Sequence, residues 1–151
     1  MSEILWCADN GDGTYRNPVL YCDYSDPDAI CVNGTYYLTA STFNYVPGLP
    51  ILTSRDLVNW KLVNYAVKNI PEARYAAPQH AQGIWAPAIR FQNGRFYIYY
   101  GMPDEGIYMV STENPLGDWD TPVLVKPGKG LIDPCPFWDD DGRAYICLLY
   151  T

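Results

Sequence analysis

The chain has 151 residues, a length typical of one domain, and its 17 Asp and Glu against 10 Lys and Arg give a net charge of −7. Its basic residues form no cluster, which argues against nucleic acid as a partner because phosphate binding needs grouped Lys and Arg. No apolar stretch reaches the roughly 18 residues of a membrane span, so no membrane is expected as a partner either.

The five cysteines and the N-terminal sequence together predict a cellular compartment. The first residues, MSEILWCADNGDG, contain neither the basic region nor the apolar run of a signal peptide. Five Cys without an export signal predict free, buried thiols in the reducing cytoplasm. A protein whose signal had been removed would instead be secreted or periplasmic.

The first predicted unit covers about residues 20–66. Its segment DPDAICVNGTYYLTAST, from Asp26, holds two β-type runs separated by Asn33-Gly34. Asn-Gly between such runs is a strong hairpin signal because both residues tolerate the positive φ of a tight turn. The segment ILTSRDLVNW then supplies a third strand, a charged loop and Trp60, which opens a fourth strand, KLVNYAV. The pattern predicts four antiparallel strands.

The second predicted unit, at about residues 84–126, repeats this plan. The segment APAIRFQNGRFYIYYG, from Ala86, forms the hairpin, and IYMVSTENPLGDW and DTPVLV supply the third and fourth strands. Between the two units lies the loop KNIPEARYAAPQHAQG, which contains His80, the single His of the chain. A lone His and the lack of paired CxxC motifs predict no metal site. We expect His80 to contact a bound ligand or to make hydrogen bonds within its loop.

The third predicted unit, at about residues 131–151, stops after two strands. The segment DPCPFWDDDGRAYICLLY, from Asp133, turns at Asp141-Gly142, and its acidic run lacks the later Glu of a calcium loop. Four-stranded units repeated at roughly 40 to 60 residues predict a β-propeller, of which this chain supplies about two and a half blades. Regular strand spacing also allows a two-sheet sandwich, but the shared Trp and hairpin turns favour blades.

Two aspartates, Asp26 and Asp133, hold equivalent positions in the first and third units, and Ala86 holds that position in the second. The first strand of each blade lines the central channel of a propeller, so we expect both carboxylates to face one funnel, with Pro fixing the chain after each. A single Asp-Pro pair is a common turn starter. Two carboxylates about 6.5 to 9.5 Å apart, one of them activating a water, are the apparatus of inverting glycoside hydrolysis.

Four stretches, NPVLYCDYSDPDAI, STFNYVPGLPILTSRDLVNW, GIWAPAIRFQNGRFYIYYG and GKGLIDPCPFWDDDG, together resemble the family 43 glycoside hydrolases over residues 17–150. The resemblance implies an all-β, five-bladed β-propeller that removes terminal xylose or arabinofuranose from plant-derived oligosaccharides with inversion. It implies that Asp26 is the general base and that Asp133 raises the pKa of the general acid and helps to orient the substrate. It also implies that Phe43 and Trp85 wall the sugar subsite, for which plain core packing is the alternative.

The same resemblance has consequences for cofactors and for the general acid. No cofactor is required, and a structural ion on the propeller axis would take its ligands from outside this chain. The family's acid is a Glu in a Glu-Gly-Pro type motif on a later blade, and none of the four Glu here lies in such a motif: Glu3, Glu72, Glu105 and Glu113. We therefore expect the acid and the remainder of the propeller after Thr151, and no activity from the 151 residues alone.

Two other functions remain open from the sequence. A non-catalytic sugar-binding propeller or fragment would keep the aromatic pocket and lack the acid. A protein-interaction propeller of the WD type is less favoured, because its Gly-His and Trp-Asp signatures do not recur here and Trp119-Asp120 stands alone.

Overall fold

The computed structural model of the chain describes residues 6–70 and 72–150. Glu3 and Thr151, which entered the predictions above, lie outside these residues. Within them, regular structure consists of ten strands and one short 3₁₀ helix, Ala73–Ala76. No helix in this part of the chain is long and apolar enough to cross a membrane.

Blade 1 is a four-stranded antiparallel sheet whose strands follow one another in chain order: β1 (Asp28–Val32), β2 (Thr35–Thr39), β3 (Gly48–Ser54) and β4 (Lys61–Val67). The turn between β1 and β2 is made by Asn33 and Gly34, with φ of 50° and 71°. These are the positive values that a tight hairpin requires and that Asn and Gly accept at low cost. The first predicted hairpin is therefore confirmed.

Blade 2 has the same topology, with strands β5 (Trp85–Gln92), β6 (Arg95–Met102), β7 (Gly106–Thr112) and β8 (Val123–Pro127). Its first turn again has positive φ at Asn93 and Gly94. In both blades a Trp indole braces the loop before the fourth strand. Trp60 Nε1 donates to the carbonyl of Leu57 at 2.9 Å, and Trp119 Nε1 donates to that of Pro115 at 3.3 Å.

The third sheet is a hairpin of β9 (Leu131–Trp138) and β10 (Ala144–Tyr150). Its turn is wider than the other two, because the Asp139 N–H donates to the carbonyl of Arg143 and the Gly142 N–H donates to that of Asp139, each at 2.9 Å. The acidic run is thus a hairpin turn, as the sequence predicts.

The three sheets follow one another around a common line, with β5 packed between β1 and β9. Apolar side chains of blades 1 and 2 form one core, and the completely buried members are Leu49, Ile51, Ile84, Ile89, Ile98 and Val110. A smaller cluster of Tyr99, Ile107 and Leu131 joins blade 2 to the third sheet. Burying each large aliphatic side chain stabilises the fold by about 1.5 to 3 kcal/mol. These contacts join the faces of neighbouring sheets, as in propeller blades.

The prediction that the cysteine thiols are buried is wrong. All five are free, as expected, but all five are exposed rather than buried. For the three that lie in strands, Cys31, Cys135 and Cys147, alternation is the reason, since successive side chains point to opposite faces of a sheet. Cys31 lies between Ile30 and Val32, which pack against the core, and Cys135 lies between two buried prolines.

Candidate active site

The three equivalent positions at the start of the first strands share a rare backbone conformation. Asp26, Ala86 and Asp133 have φ of 48°, 32° and 52°, although each precedes a Pro. A residue before Pro prefers extended backbone, and positive φ costs about 1 to 3 kcal/mol for a residue other than Gly, Asn or Asp, here Ala86. Surrounding contacts must therefore hold these positions in place, and strain of this kind concentrates at functional sites.

Asp26 is held by a serine from the end of the first hairpin. Ser41 Oγ donates to Asp26 Oδ2 at 2.8 Å and accepts a hydrogen bond from the Ala86 N–H, also at 2.8 Å. Ser41 is only 3% exposed, whereas Asp26 is exposed. One hydroxyl therefore joins the strained position of blade 1 to that of blade 2, and the carboxylate remains open to solvent.

A second group of contacts joins the first strands of all three sheets. Arg90 Nη1 donates to Asp28 Oδ2 at 2.6 Å, and Arg90 Nη2 lies 3.4 Å from Cys135 Sγ as a hydrogen-bond donor. Asp28 lies two residues after Asp26, and Cys135 lies two residues after Asp133. We call this group the Arg90 clasp. It links corresponding positions of the first strands, and Asp133 is exposed like Asp26. That the two carboxylates face one cavity stays a prediction.

Phe43 and Trp85 form one aromatic pair beside these contacts. Their ring centroids are 5.3 Å apart with an interplanar angle of 84°, an edge-to-face arrangement. Trp85 Nε1 donates to the carbonyl of Ala81 at 3.0 Å, which fixes the indole. Both rings are half-buried and therefore keep some exposed surface. In the chain, Phe43 follows Ser41 by two residues and Trp85 directly precedes Ala86. The structure brings this pair together; its contact with a sugar stays a prediction.

A pocket of about 290 Å³ is lined in part by Phe43. The loop after blade 1 forms much of its wall, and neither Asp26 nor Asp133 lines it. Tyr75 in this wall donates to the carbonyl of Gln82 at 2.7 Å. Burial, followed by the negative charge of Glu105, raises the pKa of Tyr75 to about 12, so its hydroxyl stays neutral at physiological pH.

The three glutamates that the structure describes are all engaged. Glu105 pairs with Arg74 Nη2 at 2.6 Å, and its Oε2 lies 3.3 Å from Tyr75 OH. Each of the other two accepts from one side chain: Glu72 from Tyr108 OH at 2.7 Å, and Glu113 from Arg95 Nη1 at 3.1 Å. Structural contacts thus set the positions of all three carboxyls within the described residues.

His80 lies exposed in the loop between blades 1 and 2, beside Ala81, whose N–H donates to Asn44 Oδ1 at 2.7 Å. Its contact with a substrate stays a prediction. Within residues 6–70 and 72–150, no group of three or more His, Cys, Asp and Glu side chains could hold a metal ion.

Sequence reasoning did not identify Ser41 and Arg90. Ser41 stands among small and polar residues in the stretch LTASTF, and its two partners are 15 and 45 residues away in the chain. Arg90 stands in a strand where its neighbours predict only β-structure. The equivalence of Asp26, Ala86 and Asp133 could have directed attention to whatever holds them, because strained positions need partners.

Comparison with known proteins gives consistent matches. The sequence model of Glycosyl hydrolases family 43 matches residues 15–149. A putative beta-xylosidase of Xylanibacter ruminicola is 46% identical over 140 residues, which cover 92% of this chain and 26% of that protein. A non-reducing end alpha-L-arabinofuranosidase of Bacteroides ovatus is 38% identical over 150 residues, which cover 94% of this chain and 28% of that protein. The chain thus spans about a quarter of the length of the curated relatives it matches.

Solved structures agree with this match. The crystal structure of a GH43 protein from Bacillus licheniformis superposes with a TM-score of 0.79 at 32% identity, covering 89% of this chain and 29% of that chain. A xylan beta-1,4-xylosidase from Bacillus halodurans C-125 gives a TM-score of 0.75 at 31% identity, covering 87% and 26%. The prediction of an all-β, five-bladed propeller, of which this chain supplies about two and a half blades, is confirmed.

Proposed function

Since this chain belongs to glycosyl hydrolases family 43, we propose that it forms the base-bearing part of an inverting glycoside hydrolase. The observation that carries the proposal is the arrangement of Asp26, whose exposed carboxylate is oriented by a buried hydroxyl at a strained position. Orientation of this kind is what a general base requires, because the carboxylate must be in position before the water arrives.

In the proposed reaction, the Asp26 carboxylate takes a proton from a water. The water oxygen attacks the anomeric carbon from the face opposite the leaving oxygen, and the C–O bond to that oxygen breaks. A carboxylic acid protonates the leaving oxygen, and the product has inverted configuration. Asp133 would raise the pKa of that acid through its negative charge and help to position the sugar. No cofactor takes part in these steps.

The proposed substrates are oligosaccharides of plant origin that carry a terminal xylose or arabinofuranose. Two relatives are named for these activities, a putative beta-xylosidase and a non-reducing end alpha-L-arabinofuranosidase. The edge-to-face pair of Phe43 and Trp85 would wall the subsite for this sugar, and His80 would contribute a polar contact. Aromatic faces suit the apolar faces of a pentose ring, and the net charge of −7 suits a neutral substrate.

The proton donor is proposed to come from another part of the propeller. Glu72, Glu105 and Glu113 are each held by a hydrogen bond or ion pair, and none stands in a Glu-Gly-Pro motif. We expect the 151-residue polypeptide, purified by itself, to hydrolyse nothing. Measurable turnover that is lost on Glu105→Gln would contradict this assignment.

The test uses the whole protein with aryl β-D-xylosides and aryl α-L-arabinofuranosides. Proton NMR of the first product should show the anomer opposite to that of the substrate, before mutarotation equilibrates it. A product with retained configuration would overturn the inverting mechanism. Activity on neither pentoside, together with measurable binding of xylose or arabinose, would favour a non-catalytic sugar-binding propeller.

We also place the protein in the cytoplasm. The support for this is that all five cysteines are free and exposed, since exposed thiols persist in reducing compartments.

A further inference from the structure

We propose that Ser41 is the positioning residue of the general base, and this proposal rests on the function proposed for Asp26. Ser41 is itself firmly placed. Its N–H donates to the carbonyl of Ser25 at 2.9 Å, and the next residue, Thr42, exchanges two backbone hydrogen bonds with Ile84. The Ser41 backbone is thus tied to blade 1 on one side and to the entry of blade 2 on the other.

The direction of the hydroxyl proton follows from its partners. A serine hydroxyl has one proton to donate and lone pairs to accept. The backbone N–H of Ala86 can only donate, so Ser41 Oγ must act as its acceptor at 2.8 Å. The single Ser41 proton is then free for Asp26 Oδ2, also at 2.8 Å. The two contacts are mutually consistent, and each fixes the direction of the other.

This arrangement assigns different tasks to the two carboxylate oxygens of Asp26. Oδ2 is occupied by the Ser41 proton, so the other oxygen is the one that accepts the proton of the attacking water. The same hydrogen bond fixes the rotation of the carboxylate, and it does so at a position where the backbone is already strained, with φ of 48°. A base oriented in this way needs no reorientation during the reaction.

A purely structural role is the competing explanation. Ser41 satisfies the Ala86 N–H at the irregularity of β5 between Trp85 and Ala88, where the regular ladder is interrupted. If accepting the Ala86 hydrogen bond were the only role of Ser41, Ser41→Ala would lower the unfolding midpoint. It would also change kcat and KM by the same factor in wild type and in the Asp26→Asn background.

The experiment is a double-mutant cycle in the whole protein, with kcat and KM measured on the aryl pentoside that the enzyme hydrolyses. Ser41→Ala should lower kcat about 10-fold to 100-fold, the loss expected for one hydrogen bond to a charged group, with KM nearly unchanged. In the Asp26→Asn background, Ser41→Ala should cause no further loss, because Ser41 acts through the carboxylate. Ser41→Thr, which keeps the hydroxyl, should recover most of the activity.

The chain offers a matched control. Ser111 is also buried and donates to a carboxylate, Asp120 Oδ2, at 2.7 Å, but it lies in β7 rather than at the entry of a first strand. Ser111→Ala should leave kcat nearly unchanged. Ser41→Cys, which keeps most of the volume and weakens the donor, replaces Ser41→Ala if that variant does not fold.

Further loss in the double variant, or a Ser41→Ala kcat close to that of wild type, would overturn the proposal for Ser41 alone. A fully active Asp26→Asn variant would instead overturn the function proposed for Asp26. The two failures are therefore distinguishable.

Discussion

In blades 1 and 2, both ends of the first hairpin contain residues with positive φ, but for different reasons. At the turn end, Asn33-Gly34 and Asn93-Gly94 take positive φ, which these residues adopt at low cost. The opposite end of each hairpin, which holds Asp26 or Ala86, we call the axial end; there these residues take positive φ directly before a Pro, a conformation that a residue before Pro does not prefer. The turn end is determined by its own sequence, whereas the axial end is held by contacts from elsewhere in the fold.

This difference distinguishes residues that contribute mainly to stability from residues that contribute to activity. Residues that accept their conformation locally need no support, and a change there acts mainly on stability. Residues held against their preference need a surrounding network, here Ser41 and the Arg90 clasp, and such networks are maintained where geometry matters for chemistry. We therefore expect changes at the axial end to affect activity and changes at the turn end to leave it intact.

The largest expected effect is that of Asp26→Asn in the whole protein. Asn keeps the shape of the side chain but cannot take the proton of the attacking water, so kcat should fall roughly 10²-fold to 10⁴-fold or more. Circular dichroism and the unfolding midpoint should remain close to those of wild type, since Asn can still accept the Ser41 hydrogen bond. Activity near the wild-type level would remove Asp26 from the role of base.

A smaller and different effect is expected for Asp133→Asn. Its negative charge is proposed to raise the pKa of the general acid, which must be protonated to act. Removing the charge lowers that pKa, so the acid loses its proton at a lower pH. The alkaline limb of the pH–rate profile therefore shifts to lower pH.

Leaving groups provide the control for Asp133→Asn. Aryl glycosides whose phenol needs no protonation should be affected less by Asp133→Asn than those with poor leaving groups. Asp26→Asn should impair both kinds of substrate alike. An alkaline limb unchanged in Asp133→Asn would contradict the role given to Asp133.

The sequence predicts the backbone conformation of the turn end, but it does not predict that of the axial end. Asn-Gly between β-type runs predicts its hairpin from local preferences alone, and both such hairpins are present. The repeat also identified Asp26, Ala86 and Asp133 as equivalent. Their positive φ was not predictable, because local preferences before Pro favour the opposite conformation. Ser41 was missed because its task depends on partners that only the tertiary fold brings near.

The cysteines show that residue composition alone does not predict burial. A count of five Cys predicted free thiols correctly, but buried thiols wrongly. Burial depends on which face of a strand a residue occupies, and alternation around Ile30 and Val32 would have placed Cys31 on the face away from the core.

An intermediate effect is expected for Arg90→Met, which removes the clasp between the first strands. Asp28 would keep only the Ile89 N–H and its own neighbour as donors, so the free energy of unfolding should fall by about 1 kcal/mol. The value is modest because Arg90 and Asp28 are 30% and 32% exposed. A loss of kcat smaller than that of Asp26→Asn should accompany it, because β1, which follows Asp26, and β9, which contains Asp133, lose a shared contact.

Arg55→Met is the matched control for Arg90→Met. Arg55 Nη1 donates to the carbonyl of Gly34 at 3.2 Å, so this arginine contacts the turn end of the same hairpin. Denaturant unfolding should show a small loss of stability, and kcat should not change. Equal effects of the two variants on kcat would break the distinction between the two ends.

The smallest expected effect on activity is that of Gly94→Ala at the turn end of blade 2. Gly94 has φ of 79°, and a Cβ added there meets nothing within 4 Å, so the cost is backbone strain alone. An Ala at such a position should lower the free energy of unfolding by about 1 to 2 kcal/mol, and Gly94→Asn should lower it less because Asn tolerates this conformation. Denaturant titration measures both. The values of kcat and KM should match wild type in each variant, because the turn carries its conformation without help from the axial end. A reduced kcat in Gly94→Ala that Gly94→Asn restores would show that strain at one end of the hairpin reaches Ala86 at the other, and the two ends would then have to be treated as one unit.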